Sequence, residues 1–303
     1  MEATIEVRGL RKHYGPVVAV DDLSFTVSPG HVTGFGGAAD AGKTTTLRVL
    51  LGLERPDRGM ALISGRQYRD LRAPLREAGA VLGGACPHPA RRTRDHLRWL
   101  AQSNGLPAAR VAEVLELTGL TPVAKRAAGG LEPGMVRRLE LAAALLGDPP
   151  VLLLDEPFDG LSVDDAGWLR GLLRSLAAQG RAVLVSSRAM RDLDGMADRL
   201  VVLGRGRLLA DASVSDLLAA ASDGLVAVHT SHRQEAITVL AHAGATVTAG
   251  GTDAITVAGL SADRVVSVLS EGVVPFSGVS EHQPSLEEAY LEVTRKSAEQ
   301  VPA

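Results

Sequence analysis

Residues Gly37 to Thr44 read GAADAGKT, which fits the pattern G-x-x-x-x-G-K-[ST]. Those residue types suit a chain of phosphates. Glycines let the backbone bend sharply and come close, so that its N–H groups can hold phosphate oxygens. Lys43 can reach the outer phosphates, and the Thr44 hydroxyl can ligate a Mg²⁺. The nucleotide cradle is therefore expected to be Gly37, Ala38, Ala39, Asp40, Ala41, Gly42, Lys43, Thr44 and Thr45. A second pair of groups, Asp155 and Glu156, ends the run VLLLDEP. Asp155 can hold the same metal through water. Glu156 can orient or deprotonate an attacking water.

These groups need a scaffold. The apolar run His31 to Phe35 precedes the glycine loop, and a helical pattern (Thr45, Leu47, Val49, Leu50, Leu51) follows it. This is strand, loop and helix, with the helix aiming the positive end of its dipole at the anion. Four consecutive apolar residues before Asp155 predict a buried parallel strand whose carboxyl edge carries the acids. Ala182 to Ser186 and Leu200 to Leu203 read as two more such strands, each after a helix (Asp164 to Ala178; Met190 to Ala197). The alternation predicts a parallel sheet with right-handed crossovers.

Upstream, residues Thr4 to Thr33 read as short strands, with turns at Tyr14-Gly15-Pro16 and Ser28-Pro29-Gly30. Tyr14 is open to two local readings, a half-exposed turn aromatic or a platform for a purine ring. Met60 to Ile63 and Gly79 to Leu82 predict strands. Asp95 is expected to cap a helix to Asn104, Pro107 to open one over Ala108 to Leu117, and Pro133 to open one through Leu146. Arg91, Arg92, Arg94 and Arg98 read as a solvated helix face.

From Ser213 the character changes. A small helix to Ala221 and a linker, Ala221-Ser222-Asp223-Gly224, lead into strand (Leu225 to Thr230), helix (Gln234 to Ala243) and two strands joined through Gly250-Gly251 (Thr246 to Ala249; Ala254 to Val257). A helix (Ala262 to Ser270), a strand (Gly272 to Phe276) and a last helix (Leu286 to Val293) complete the order. The order βαββαβ suggests a ferredoxin-like module. His229 and His232 read as surface histidines, since nothing near them completes a metal site.

Composition sets the outer limits. Of 303 residues 46% are hydrophobic but only 3% aromatic, so the core must be aliphatic. A net charge of -3 argues against bulk binding to nucleic acid. The single cysteine, Cys86, excludes an internal disulfide. The start MEATIEVRGL lacks a signal peptide, and no apolar run approaches the roughly 18 residues of a membrane span. A chain soluble by itself is expected, reaching a membrane only through a partner.

The glycine loop, then AAALLGDPPVLLLDEPFDGL, then VLVSS closely resembles ATP-binding-cassette (ABC) transporter ATPases. Within them the chain resembles exporter subunits paired with separate permeases, of the kind tied to drug or antibiotic export. SLEEAYLEVT (Ser285 to Thr294) resembles the C-terminal segment of the same subgroup. The resemblance implies an α/β P-loop NTPase core with an N-terminal antiparallel β-subdomain, a helical subdomain at about 87–133, and a small C-terminal α+β domain. The domains would be 1–220, binding ATP, and 224–303, accessory. It moves Tyr14 to the adenine platform and implies an ATPase with ATP and Mg²⁺, held by Thr44 and Asp155. Partners would be an integral-membrane permease, docked in the groove around Gly83 to Trp99, and a second ABC ATPase, the same or another chain, in a head-to-tail dimer. The implied location is the cytoplasm, at the inner face of the cell membrane.

Several motifs depart from that pattern. Asp40 stands where the family has Gly, and Ala38-Ala39 replace Pro-Asn. The Q-loop glutamine falls on Gly83, the signature reads Glu132-Pro133-Gly134-Met135, the D-loop aspartate falls on Ser162, and the switch histidine is Arg188. Two unit charges about 4 Å apart interact by about 4 kcal/mol at an effective dielectric of 20, so Glu132 would repel a partner's γ-phosphate. Two expectations follow: slow hydrolysis, or a nucleotide-binding regulatory subunit deficient in it. A cross-dimer pair of Glu132 with Arg188 is a further expectation.

Overall fold

Alternating apolar residues in the first segment build one long hairpin. The computed structural model describes residues 4–83, 87–222, 225–250, 254–281 and 284–299, so Cys86, Asp223-Gly224 and Gly251 lie outside the described residues. In the hairpin, β1 (Ile5–Tyr14) buries Ile5, Val7 and Leu10, and β2 (Val17–Val27) buries Val20, Leu23, Phe25 and Val27. The short strands expected here are in fact 10 and 11 residues long, because register shifts between Val7 and Lys12 absorb the breaks in alternation.

β3 (Val32–Gly36) is wholly buried and runs into the glycine loop and α1 (Lys43–Leu50). β4 (Arg58–Ile63) pairs antiparallel with β1, completing a three-stranded sheet in the order β2-β1-β4. A short α2 (Pro74–Glu77) precedes β5 (Ala78–Val81). Three helices follow before the next strand: α3 (Thr93–Ser103) and α4 (Ala109–Leu117), within the stretch expected as the insert, and α5 (Pro133–Ala144), which starts where that stretch ends. Asp95 is not the cap of α3. The cap position is Arg92, without a side-chain hydrogen bond, and Asp95 sits in the first turn, where its charge suits the dipole.

The main sheet adds β6 (Val151–Leu154), α6 (Val163–Ala178), β7 (Ala182–Ser187), α7 (Met190–Leu193) and β8 (Arg199–Gly204). β9 (Arg207–Ser213) was not expected from the sequence. It pairs antiparallel with β8 across Arg205-Gly206, both at positive φ (49° and 81°), the two-residue turn that hairpins favour. The order is β5-β6-β7-β3-β8-β9, parallel except at β9. One core joins α1, the hairpin and one face of this sheet, where the Phe25 and Phe35 rings lie 5.2 Å apart. The fold is that of a P-loop NTPase with an added antiparallel sheet.

The chain divides into two compact units, Met1–Val214 with Val293–Ala303, and Ser215–Glu292. After α8 (Val214–Ser222) come β10 (Leu225–His229), α9 (Arg233–His242), β11 (Thr246–Gly250), β12 (Ala254–Ala258), α10 (Ala262–Glu271), β13 (Gly278–Glu281) and α11 (Leu286–Glu299). The antiparallel order β11-β12-β10-β13 is the ferredoxin-like one, with its own core of Val226, Val228, Leu240, Ile255, Val257 and Leu269. The expected last strand, Gly272 to Phe276, is a turn instead: Val273 has φ 55° and is 85% exposed, and Pro275 has no N–H to pair. Among the described residues no helix is long and apolar enough to cross a membrane.

The insert carries a titratable weak point. His96 of α3 shares a cavity with Leu100, Leu139 and Glu140, and its Nδ1 is buried without a partner. Burial, and then the charge of Arg91, push His96 below its ordinary value. Burial pushes Glu140 of α5 up. The unfolded chain therefore binds a proton at His96 that the folded chain resists, and stability should fall as pH drops through about 6.5. Glu140 acts in the opposite sense at lower pH. Thermal melts of wild type and His96→Gln between pH 8 and 6 check this. The variant should lose the decline.

Candidate functional site

The glycine loop connects β3 to α1 and owes its shape to two left-handed residues. Asp40 has φ 60°. Gly42 has φ 98°, and a Cβ there would lie 2.4 Å from the carbonyl oxygen of Ala19, so only glycine fits. α1 opens at Lys43 without a side-chain cap, which leaves first-turn N–H groups for an anion.

Lys43 is 5% exposed. Its Nζ donates to the carbonyl oxygens of Gly37 (2.6 Å) and Ala38 (3.0 Å) and lies 3.3 Å from Glu156 Oε1. The ammonium is thus folded over its own loop and against the second acid. The Thr44 hydroxyl donates to Asp155 Oδ2 at 2.8 Å. Ser186, at the end of β7, donates to Asp155 Oδ1 at 2.6 Å and accepts the Glu156 N–H at 2.8 Å. This last bond holds Glu156 at φ 45°, a conformation that costs a glutamate about 1–3 kcal/mol.

Arg188, just after β7, closes the arrangement. Its N–H donates to Glu156 Oε2 (3.1 Å), its Nε lies 3.6 Å from Glu156 Oε1, and its Nη2 donates to Asp159 Oδ2 (2.5 Å). Both oxygens of Glu156 are therefore engaged, one by two cations. Glu156, Asp159, Arg188 and the loop from Ala39 to Thr45 line a cavity of about 530 Å³, together with Tyr14, Val17 and Val18. Tyr14 is 43% exposed, and Lys12 Nζ lies 5.2 Å from its ring centre. Tyr14, Val17 and Val18 make an apolar border for a flat ring beside a cradle for anions.

Thr44 and Asp155 are hard oxygen donors in contact, which suits Mg²⁺. Among the described residues no group of three or more His, Cys, Asp or Glu could hold a metal. A magnesium ion there would need ligands from phosphate and water, as that ion prefers.

The cavity brings together Tyr14, Ala39 to Thr45 and Glu156. Gly37 and Ala38 meet it through Lys43, and Asp155 through Thr44. Gly83 and Glu132 do not line it within one chain. Glu132 occupies the cap position of α5 with no side-chain cap bond. Arg188, expected to await a partner's Glu132, already pairs with Glu156 and Asp159 of its own chain. Sequence reasoning also missed Ser186, Asp159, Val17 and Val18. The signal for Ser186 was a hydroxyl at the end of an otherwise apolar strand, where no surface residue belongs.

Beside the site, α5 and α6 are latched. Ser162 caps α6 by accepting the Asp165 N–H, and donates to Asp165 Oδ2 at 2.9 Å. Arg138 of α5 donates to Asp165 Oδ1 at 3.0 Å and stacks 3.8 Å from the Trp168 ring centre. The Ser162 hydroxyl, then Arg138, hold the Asp165 carboxyl below the usual carboxylate range. A Cβ at Gly134 would lie 2.2 Å from Asp165 Oδ2, so a larger residue there would have to push the Asp165 carboxylate aside.

A family model described as ABC transporter matches residues 20–159, and one described as a domain of unknown function (DUF8746) matches residues 224–287. The chain is 37% identical over 223 residues to "Nod factor export ATP-binding protein I" of Paraburkholderia xenovorans (strain LB400), covering 72% of this chain and 73% of that one. It is 32% identical over 313 residues to "Daunorubicin resistance ATP-binding protein DrrA3" of Streptomyces coeruleorubidus, covering 97% and 96%. A solved structure described as "Structure of ATP binding subunit of ABC transporter" superposes with a TM-score of 0.64 at 26% identity, covering 71% of this chain and 92% of that one.

Proposed function

The chain belongs to the ABC transporter family of ATP-binding subunits, and from that premise we propose that it binds ATP with Mg²⁺ and drives export through a separate integral-membrane permease. The supporting observation is one connected set of contacts. Lys43 and Thr44 of the glycine loop touch Glu156 and Asp155 at the end of β6. A phosphate chain laid on the loop would therefore meet both acids.

The roles follow from the side chains. Tyr14 carries the purine ring. Backbone N–H groups from Gly37 to Thr45 hold phosphate oxygens, and Lys43 exchanges Glu156 for the outer phosphates. Thr44 and Asp155 are the protein ligands for Mg²⁺, which when bound supplies positive charge against the phosphates. Glu156, released from Lys43, orients the attacking water and accepts its proton. The unit that binds ATP is residues 1–220, with residues 224–303 as an accessory domain. Two such subunits, identical or not, dimerise on a permease at the inner face of the membrane. The names of the relatives, Nod factor export and daunorubicin resistance, support the outward direction.

A second reading is favoured by Arg188. Both Glu156 oxygens are engaged, and Gly83, Glu132 and Ser162 replace family residues that serve turnover. The chain would then bind ATP as a regulatory or heterodimer partner without hydrolysing it.

Uptake of labelled ATP by the purified chain, with and without magnesium, tests what the two readings share. Magnesium-dependent binding below millimolar ATP is expected. No uptake at millimolar ATP would overturn both.

A further inference from the structure

A second cavity, of about 390 Å³, lies at the opposite end of α1 from the glycine loop. It falls within the roughly 300–1,000 Å³ usual for small-molecule sites. Its apolar lining is core: Val49 and Ala61 are buried, and the half-buried Tyr68 packs on the same cluster. Its polar lining is uncommitted. Among the described residues the side chains of Arg55, Gln67 and Tyr68 have no hydrogen-bond or ion-pair partner, and Arg69 has Asp70 at 4.0 Å. The carboxylate in the lining, Glu54, is already taken, with Arg48 Nη2 at 3.3 Å and Lys12 Nζ at 4.0 Å. The negative end of α1 is answered too, because the N–H groups of Gly52, Leu53 and Glu54 hold the Val49 and Arg48 carbonyls. Burial pushes the Tyr68 hydroxyl up, so it stays neutral and adds no charge against an anion.

We propose that this cavity binds a small aromatic acid. The carboxylate accepts from Arg55 and Arg69, whose planar forks match it in shape as well as charge. The ring packs on Tyr68, Val49 and Ala61, where an aromatic pair adds to the burial of apolar surface. Gln67 offers both a donor and an acceptor to ring substituents. A cation would meet two guanidinium groups of like sign, and a neutral ring would leave both without a partner. The proposal is independent of the nucleotide reading, since this lining shares no residue with the cavity at the glycine loop. The element common to the two cavities is α1, which gives Lys43 and Thr44 to one and Val49 to the other.

Fluorine NMR titration of the full chain with three probes tests this. They are para-fluorobenzoate, para-fluorobenzamide (the ring without the charge) and fluoroacetate (the charge without the ring). The benzoate should bind at millimolar concentration, and the other two at least about tenfold more weakly. Arg55→Gln and Arg69→Gln should each weaken the benzoate roughly tenfold, the worth of one charge-assisted contact, and together abolish binding. Both arginines are exposed, so the fold should survive, and the comparison of probes needs no variant. Saturating ATP with magnesium should leave benzoate binding within about twofold, because the two cavities share no lining residue. No binding at tens of millimolar, or equal binding of all three probes, would overturn the proposal. Unchanged affinity in the double variant would also overturn it, and displacement by ATP in that variant would place the acid at the glycine loop instead.

Discussion

Glu156→Gln should leave ATP binding within about threefold of wild type and cut ATP turnover at least about a hundredfold. Glutamine matches glutamate in size and can still accept the Arg188 N–H that now reaches Oε2. What it loses is the capacity to take a proton from water. A positioned base contributes about 10²–10⁴ in rate, or roughly 3–5 kcal/mol of barrier. Its charge partner Lys43 has an alternative in the phosphates, so the bound state should tolerate the change. Steady-state phosphate release beside labelled-ATP binding measures both effects. Equal, near-zero rates in wild type and variant would select the regulatory reading, in which Arg188 keeps Glu156 from serving as a base.

The opposite pattern is expected for Lys43→Ala, which should weaken ATP binding by more than about a hundredfold while the fold survives. Two charge-assisted hydrogen bonds to phosphate at about 1.5–3 kcal/mol each account for that factor. The contacts Lys43 now makes are to its own loop carbonyls and to Glu156, all within the site. None supports the sheet. Circular dichroism and melting should therefore change little, while titration with ATP shows the loss. Unchanged affinity in Lys43→Ala would remove the glycine loop from any nucleotide role.

How far the sequence could be read depended on how local the cause was. The loop, its flanking strand and helix, and the strand ending in Asp155-Glu156 are written in residue types at fixed spacing. The βαββαβ order of the second unit was equally plain, because each element has its own period. The errors came where a single residue decides. Val273 and Pro275 turn a plausible strand into a turn, and β9 hides because its residues are half-exposed. The contacts of Arg188 were not legible because they are tertiary. Asp159 and Arg188 lie 29 positions apart and meet only when β6 and β7 pair in parallel. Ser186 escaped notice for the same reason, although its burial at 0% exposure next to Asp155 now explains the backbone of Glu156.

The stacking of Arg138 on Trp168 has an experimental use. The chain has two tryptophans, Trp99 on α3 and Trp168 on α6, and each has an arginine over its ring. Trp168 bridges the latch between α5 and α6, and Trp99 is 52% exposed on the insert. Excited at wavelengths that only tryptophan absorbs, the unlabelled protein therefore emits from the seam between α5 and α6 and from α3. A shift of that seam when nucleotide arrives would be visible as a change in colour or intensity, with no dye attached.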